Sequence, residues 1–450
     1  MITKLLFRAG VDDVKAIEDL ADRGMREAAR DVLAAMGQAA VQPLLRELLR
    51  ESSPVRPWEI EFVVTTKIGL AAYNEVLTAL AQAMDQESRR RIGGVFTGFG
   101  AVERYVEALS HPSAHVRNYA AVGIQFARAV PLGRSPQPGQ DLDSVIEALI
   151  PVLADPHPEV AQRVEWVLTM LGPGVIEPLR RIRRDGPGVL RARALTVLAS
   201  VGGEQALSGH DLAAVERLIR IKVLGEQAIP LDTCSLSWVA VPGGDRMGIM
   251  EVLSLWDQRQ CTFALGHSVV AHDSVDVPAY GRVYVTPQVD GWTLVLGPWC
   301  SPVDSERAGD VLRLVVELSR RYGQAQAYYF GEQGGGSGWL VAEAGQVVRR
   351  FFACWGDDEA RFALGDPLLQ ETAWRTEMGL ASSPGVESAD DDPAEQWEDW
   401  AAYLAPELAQ ALGVSPFNLG PHTQVRGTGT IALTPYAREH GKPRTGAYRI

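Results

Sequence analysis

The sequence predicts an α-solenoid of helical hairpin repeats followed by an α+β domain with an antiparallel sheet. Three observations carry this. Asp155, Arg163, Val167, Leu168 and Gly172 recur as Asp185, Arg193, Val197, Leu198 and Gly202, and a period of about thirty with helical apolar spacing marks a stacked helical repeat. Val32, Leu33, Gly37, Pro43 and Leu44 align at a constant offset with Val167, Leu168, Gly172, Pro178 and Leu179, so the template covers two helices and the turn between them. From about Leu231 the pattern changes to short runs rich in β-branched and aromatic residues. The predicted boundaries are 1–209 for the solenoid, 210–232 for a capping helix and linker, and 233–450 for the second domain.

Within the first half, residues 11–50 form one predicted hairpin. The turn glycine supplies a left-handed residue at the end of the first helix, and Pro43 and Pro178 fall in the first turn of the second, where a missing N–H costs little. Residues 58–109 hold two divergent repeats, in which Val95, Phe96 and Gly100 keep the template. The next unit opens with Pro112, Val116, Arg117, Ala120 and Ala121, and its second helix starts near Leu142. Between them, PLGRSPQPGQ at 131–140 reads as an insertion, and solenoid insertions gather on one rim. The segment 211–226 is predicted to cap the open end of the array.

The pattern D-P-x-P-x-V, a small-residue helix, a Gly turn and a V-x-x-L helix resembles the HEAT-repeat family over about residues 11–205. The resemblance implies hydrogen-bonded ladders between repeats, with Asp155 and Asp185 in the acidic role and Arg117 and Arg191 in the basic one. Ala161 stands where the fifth unit should carry its arginine. It also implies a binding scaffold, since such arrays share a shape and differ in ligand.

In the second half, SLSWVAV, GRVYVTP, GWTLVLG, AQAYYFG, SGWLVAEA and QVVRRFFACW read as strands, with Asp290-Gly291 as a hairpin turn. The segment 303–323 is an amphipathic helix with acidic residues in its first turn and arginines in its last. Helices are expected on one face of the sheet. Residues 382–399 form an acidic loop running into another helix, and the tail adds a strand. This half resembles the C-terminal domains of uncharacterised actinobacterial proteins, which implies no activity.

Composition narrows the function classes. The net charge of −13 is uneven: residues 1–230 carry 27 basic and 28 acidic side chains, and the remainder 16 and 28. Such a chain repels phosphate backbones unless arginines concentrate locally. No stretch approaches the roughly 18 apolar residues of a membrane span, and the first residues lack a signal-peptide pattern, so the expectation is a cytoplasmic chain without a membrane partner. Cys234, Cys261, Cys300 and Cys354 form no CxxC and read as buried thiols.

Four stretches are candidates for function. Arg180, Arg181, Arg183, Arg184, Arg191 and Arg193 form the densest basic cluster, and Arg180 and Arg184 share a helix face. HEAT-like repeats also build a class of DNA alkylpurine glycosylases. Trp166 with Glu165 is the nearest equivalent here of its lesion pocket, and a solvated or ladder-forming arginine set is the plainer reading. His267, His272, Asp273 and Asp276 lie close together without an established ligand spacing; the plain alternative is a polar connection between strands. GEQGGGSGW at 331–339 lacks the helix and Lys-Ser/Thr pair of a phosphate loop and reads as a hairpin loop. Trp292, Trp299, Trp339 and Trp355 are expected mainly to pack the sheet.

The function expected is a non-catalytic protein-interaction scaffold or adaptor, of a kind suited to bacterial conflict or immunity. It would take a protein partner on the concave face of the solenoid and at the 131–140 insertion. No cofactor motif is present, and nucleic acid is not the expected partner. The rival expectations are HEAT-like nucleic-acid binding or base excision, and an enzyme site within the C-terminal domain.

Overall fold

Gly37, Gly69, Gly100, Gly172 and Gly203 all adopt positive φ, between 52° and 74°. At Gly37, Gly69 and Gly203 ψ lies between −131° and −149°, a combination that side chains with a Cβ rarely reach. A Cβ at any of the first four would meet nothing within 4 Å. Backbone torsion, not space, therefore demands glycine at these turns. The computed structural model describes residues 14–128, 142–274, 279–332, 335–354, 362–380, 393–441 and 448–449. It divides into two units, 1–201 and 202–450.

Each turn glycine separates two helices. The first helices are Arg26–Met36, Pro57–Phe62 continuing through Val63–Ile68, Gln86–Thr97, and Pro158–Met170. After Gly37, Gly69 and Gly172 the chain makes one 3₁₀ turn and enters the second helices Val41–Leu49, Tyr73–Gln82 and Ile176–Asp185. The pairs Ala40 and Leu44, Ala72 and Val76, and Val175 and Leu179 are fully buried. Their i, i+4 spacing puts each pair on one helix face. Successive first helices also pack on one another, with Ala114–Arg128 lying between Gln86–Thr97 and Pro158–Met170. Gly93 lets the Tyr119 ring lie against the neighbouring helix, because a Cβ there would collide with the ring.

Two details differ from the sequence expectation. The last turn residue is Gly203 (φ 52°), one position beyond Gly202. Gly69 is the turn of the divergent second unit; its first helix passes through a π-helical stretch at Val63–Ile68, which shifts the spacing against the template. The 131–140 insertion lies outside the described residues.

Among the described residues the second unit holds ten strands, all pairings antiparallel: β1 Ser235–Pro242, β2 Trp256–Cys261, β3 Arg282–Val289, β4 Trp292–Leu296, β5 Gln324–Gly331, β6 Gly336–Glu343, β7 Gln346–Ala353, β8 Phe362–Leu364, β9 Val425–Arg426 and β10 Gly429–Leu433. Their order is β2-β10-β3-β4-β1-β5-β6-β7-β8, with β9 beside β3. Asp290 (φ 45°) and Gly291 (φ 86°) turn β3 into β4, the two positive φ values a tight hairpin needs. The expected helix at 303–323 spans Ala308–Tyr322.

Helices cover both faces of this sheet, not one. On the first face, Val239, Val283, Val295, Ala327 and Leu340 meet Val311, Val315 and Leu318 of Ala308–Tyr322. On the other, a row of buried side chains crosses six strands: Tyr284, Leu296, Trp238, Tyr328, Trp339 and Phe351 stand in register. Trp238 stacks on Tyr328 at 5.0 Å, and Trp339 on Phe351 at 4.4 Å. Helix Phe263–Asp273 covers this row at one end, where Gly266 packs on the Tyr284 ring; Pro393–Ala401 and Ala405–Leu412 cover the other. The reason is in the strands. Residues 236–241 are buried continuously, so either face left bare would expose apolar surface.

The four tryptophans singled out from the sequence are packing residues where described. Trp339 and Trp299 are buried, and Trp292 lies against Gly413. Trp355 lies outside the described residues. No described helix is long and apolar enough to cross a membrane.

Candidate functional site

Arginines join consecutive hairpins of the first unit. Arg117 reaches Asp155 through two bonds, Nε to Oδ2 at 2.6 Å and Nη2 to Oδ1 at 2.9 Å. Its Nη1 also donates to the carbonyls of His111 and Pro112. Burial pushes the Asp155 carboxyl up, but the hydrogen bonds from Arg117 and from His157 N, together with the Arg117 charge, outweigh this and hold it below the ordinary value. Arg26 and Arg89 repeat the carbonyl part of the arrangement, donating to Leu20 O at 3.1 Å and Ala83 O at 3.0 Å. In each case the arginine satisfies an orphan carbonyl just before its own helix. Arg26 and Arg89 precede their turn glycines by the spacing that separates Ala161 from Gly172, so alanine removes this bond from the fifth unit.

Asp185 does not repeat the pairing of Asp155. It accepts from its neighbour Arg184 at 3.0 Å, while the Arg191 carbonyl accepts from Arg183 at 2.7 Å. Arg193 crosses from helix Gly188–Ala206 to Glu165 at 2.7 Å. Arg180 pairs with Glu177 at 2.6 Å, and Arg181 is exposed. Much of the basic cluster is thus locally compensated, and exposed pairs of this kind contribute little stability.

Trp166 is 43% exposed, with the Arg163 guanidinium 5.3 Å from its ring centroid. Glu165, its expected acidic companion, is held by Arg193. On the two adjacent helices Ala114–Arg128 and Pro158–Met170, Phe126 and Met170 are each 60% exposed. Three large apolar side chains on neighbouring helices are a surface feature that calls for explanation. Sequence reasoning singles out only Trp166, because Phe126 and Met170 fit the apolar spacing of buried helix positions.

The His/Asp stretch is brought into helix, not into a connection between strands. Thr262 accepts from Leu265 N at 3.1 Å and caps Phe263–Asp273. His267 Nε2 lies 2.6 Å from Asp232 O. His272 sits in the last helical turn, where a cation suits the helix dipole. Asp273 is buried and takes two bonds from Arg282, at 2.6 and 2.8 Å. Burial raises its carboxyl above the ordinary value, and Arg282 opposes this. Asp276 lies outside the described residues. Among the described residues no three His, Cys, Asp or Glu side chains are grouped to hold a metal ion.

Cys261, Cys300 and Cys354 are buried, whereas Cys234 is exposed, contrary to the sequence expectation. Burial pushes the Cys300 thiol up to about 12 and raises Cys261 well above its usual range. Both are therefore protonated near neutrality, the wrong state for a nucleophile.

Glu226 is a second carboxyl of this region with a raised pKa. Burial raises it to about 7, against the lowering effect of Phe263 N, which donates at 2.7 Å. A raised carboxyl favours the protonated fold, so its stabilising contribution is complete below about pH 4.5 and lost as pH rises through 7. Glu226→Gln keeps the acceptor and removes the charge. The variant should be more stable than the parent at pH 8 by about 1–2 kcal/mol, discounted for half-burial, and equal to it near pH 4.5. Thermal midpoints at the two pH values check this.

The sequence matches no protein-family model and no curated protein. Among solved structures, it is similar to a chain described as "Crystal Structure of Engineered Protein" from the Northeast Structural Genomics Consortium. The identity is 16%, the alignment covers 41% of this chain and 93% of that one, and the TM-score is 0.20.

Proposed function

We propose that the chain is a non-catalytic protein-interaction scaffold or adaptor whose first unit is a HEAT-like α-solenoid. The glycine-turned hairpins, their packed first helices and the Arg117–Asp155 tie support the architecture. The observation that carries the interaction role is the trio Phe126, Trp166 and Met170, large apolar side chains left exposed on two helices packed side by side. The surface bearing this trio is the proposed contact. Arg180 and Arg184 add exposed charge in the same hairpin as Trp166 and Met170.

The buried, protonated cysteines and the tied Asp273 weaken the enzyme alternative, since the groups nominated for chemistry are held in structural roles. Compensation of the arginines and of Glu165 weakens the base-excision alternative. A direct experiment separates these readings. At roughly 0.15 M salt, where screening acts over about 8 Å, the full chain should show no specific duplex binding and release no base from alkylated DNA. Base release that disappears in Trp166→Ala would replace the scaffold reading with the glycosylase one.

A further inference from the structure

The sheet face that carries Val239, Ala327 and Leu340 turns polar one row further along. There Ser237, Tyr329, Gly338 and Phe352 stand side by side on β1, β5, β6 and β7. Above this row the segment 298–304 forms a wall, and Val303 occupies the space that a side chain at Gly338 would fill. A cavity of about 220 Å³ remains, lined among others by Ser235, Ser237, Ser301, Asp304, Tyr329 and Phe352.

The chemistry of this lining is specific. Ser237 and Ser301 are each only 5% exposed. Ser301 Oγ accepts from Asp304 N at 3.2 Å, leaving its O–H to donate. The Asp304 carboxylate is already occupied, by Tyr280 O–H at 2.7 Å and by the N–H groups of Glu306 and Arg307. No Lys, Arg or His is among the described lining residues. The site therefore offers hydroxyls that both donate and accept, and two aromatic rings in edge contact at 6.2 Å, while Asp304, the charged residue among its described lining, is already hydrogen-bonded. The glycine-rich hairpin contributes too. A Cβ at Gly335 would lie 2.7 Å from the Tyr329 hydroxyl, and one at Gly331 2.8 Å from it. Glycine at both positions lets the phenol occupy its place at the cavity.

We propose that this cavity binds a small neutral polyhydroxylated ring of the monosaccharide or inositol class. Its hydroxyls would face Ser235, Ser237 and Ser301, and its C–H face would lie against Tyr329 and Phe352. Hydroxyl groups satisfy buried serines without the desolvation cost of an ion, and a single ring suits a cavity of this volume. The inference is independent of the scaffold reading, because it concerns a different unit and different residues.

Saturation-transfer NMR of the full chain with D-glucose, D-galactose and myo-inositol tests it, with D-glucuronate and D-glucosamine as charged analogues. At least one neutral ring should bind with a dissociation constant of roughly 1–10 mM, as a ligand of this size allows. Ser237→Ala should weaken that affinity by about three- to tenfold through one lost hydrogen bond. Gly335→Ala should weaken it by displacing the phenol, a second route that leaves the serines intact. No transfer to any neutral ring at about 50 mM, well above the expected range, overturns the proposal. So does tighter binding of a charged analogue, or unchanged affinity in both variants.

Discussion

Glu371→Ala is expected to destabilise the second unit by about 3–5 kcal/mol, the largest effect of any single exchange considered. Glu371 is fully buried and Arg349 is 2% exposed. The carboxylate takes Arg349 Nε at 2.9 Å and Nη2 at 2.7 Å, and Trp339 Nε1 donates to it at 2.9 Å. Removing it strands a buried guanidinium and a buried indole N–H together, and the uncompensated charge dominates the cost. Arg349 also donates to Gly365 O at 2.7 Å, so the loss spreads from helix Leu369–Glu377 to the β7–β8 edge. Glu371→Gln retains an acceptor for Trp339 and should lose less. Urea unfolding followed by tryptophan fluorescence measures both; a change below about 1 kcal/mol in Glu371→Ala would show that the pair does not hold this edge.

The same substitution should carry opposite signs at two glycines of the first unit. Gly69→Ala forces a Cβ into φ 67°, ψ −149°, a region in which a non-glycine residue costs on the order of 1–3 kcal/mol. Gly94 lies within helix Gln86–Thr97, outside the positive-φ region, and an added methyl group there would meet nothing within 4 Å. Gly94→Ala should therefore stabilise by about 0.8–1 kcal/mol through helix propensity. Far-ultraviolet circular dichroism on heating reads both, and equal shifts of the same sign would remove the special role of the turns.

How much of this is legible in the sequence depends on whether the cause is local. Gly37, Gly100 and Gly172 can be read because each follows an apolar pair at fixed spacing. Gly202 and Gly203 are adjacent glycines, and only the torsion decides which one turns the chain. The strands with continuous β-branched and aromatic runs are readable. That both their sides are covered depends on helices far along the chain, hence the expectation of one covered face. Strand β2 escapes notice because its four central side chains are exposed and polar and Asp257 has positive φ. The insertion of β10 between β2 and β3 pairs Thr430 with both Gln260 and Val285, a long-range choice that no local pattern records. Arg117 and Asp155 can be nominated from a repeat template. The serine cavity cannot, since it draws its lining from segments far apart in the chain.

The scaffold reading is tested most directly by cross-linking mass spectrometry on the full chain purified from its native host. The account predicts a stoichiometric protein partner whose cross-links concentrate on the helices bearing Phe126, Trp166 and Met170. That partner should be lost in Trp166→Ser/Met170→Ser, with the thermal midpoint shifted little because both side chains are exposed. Co-purification of nuclease-sensitive material in place of a protein, or a partner retained in full by the double variant, would contradict it.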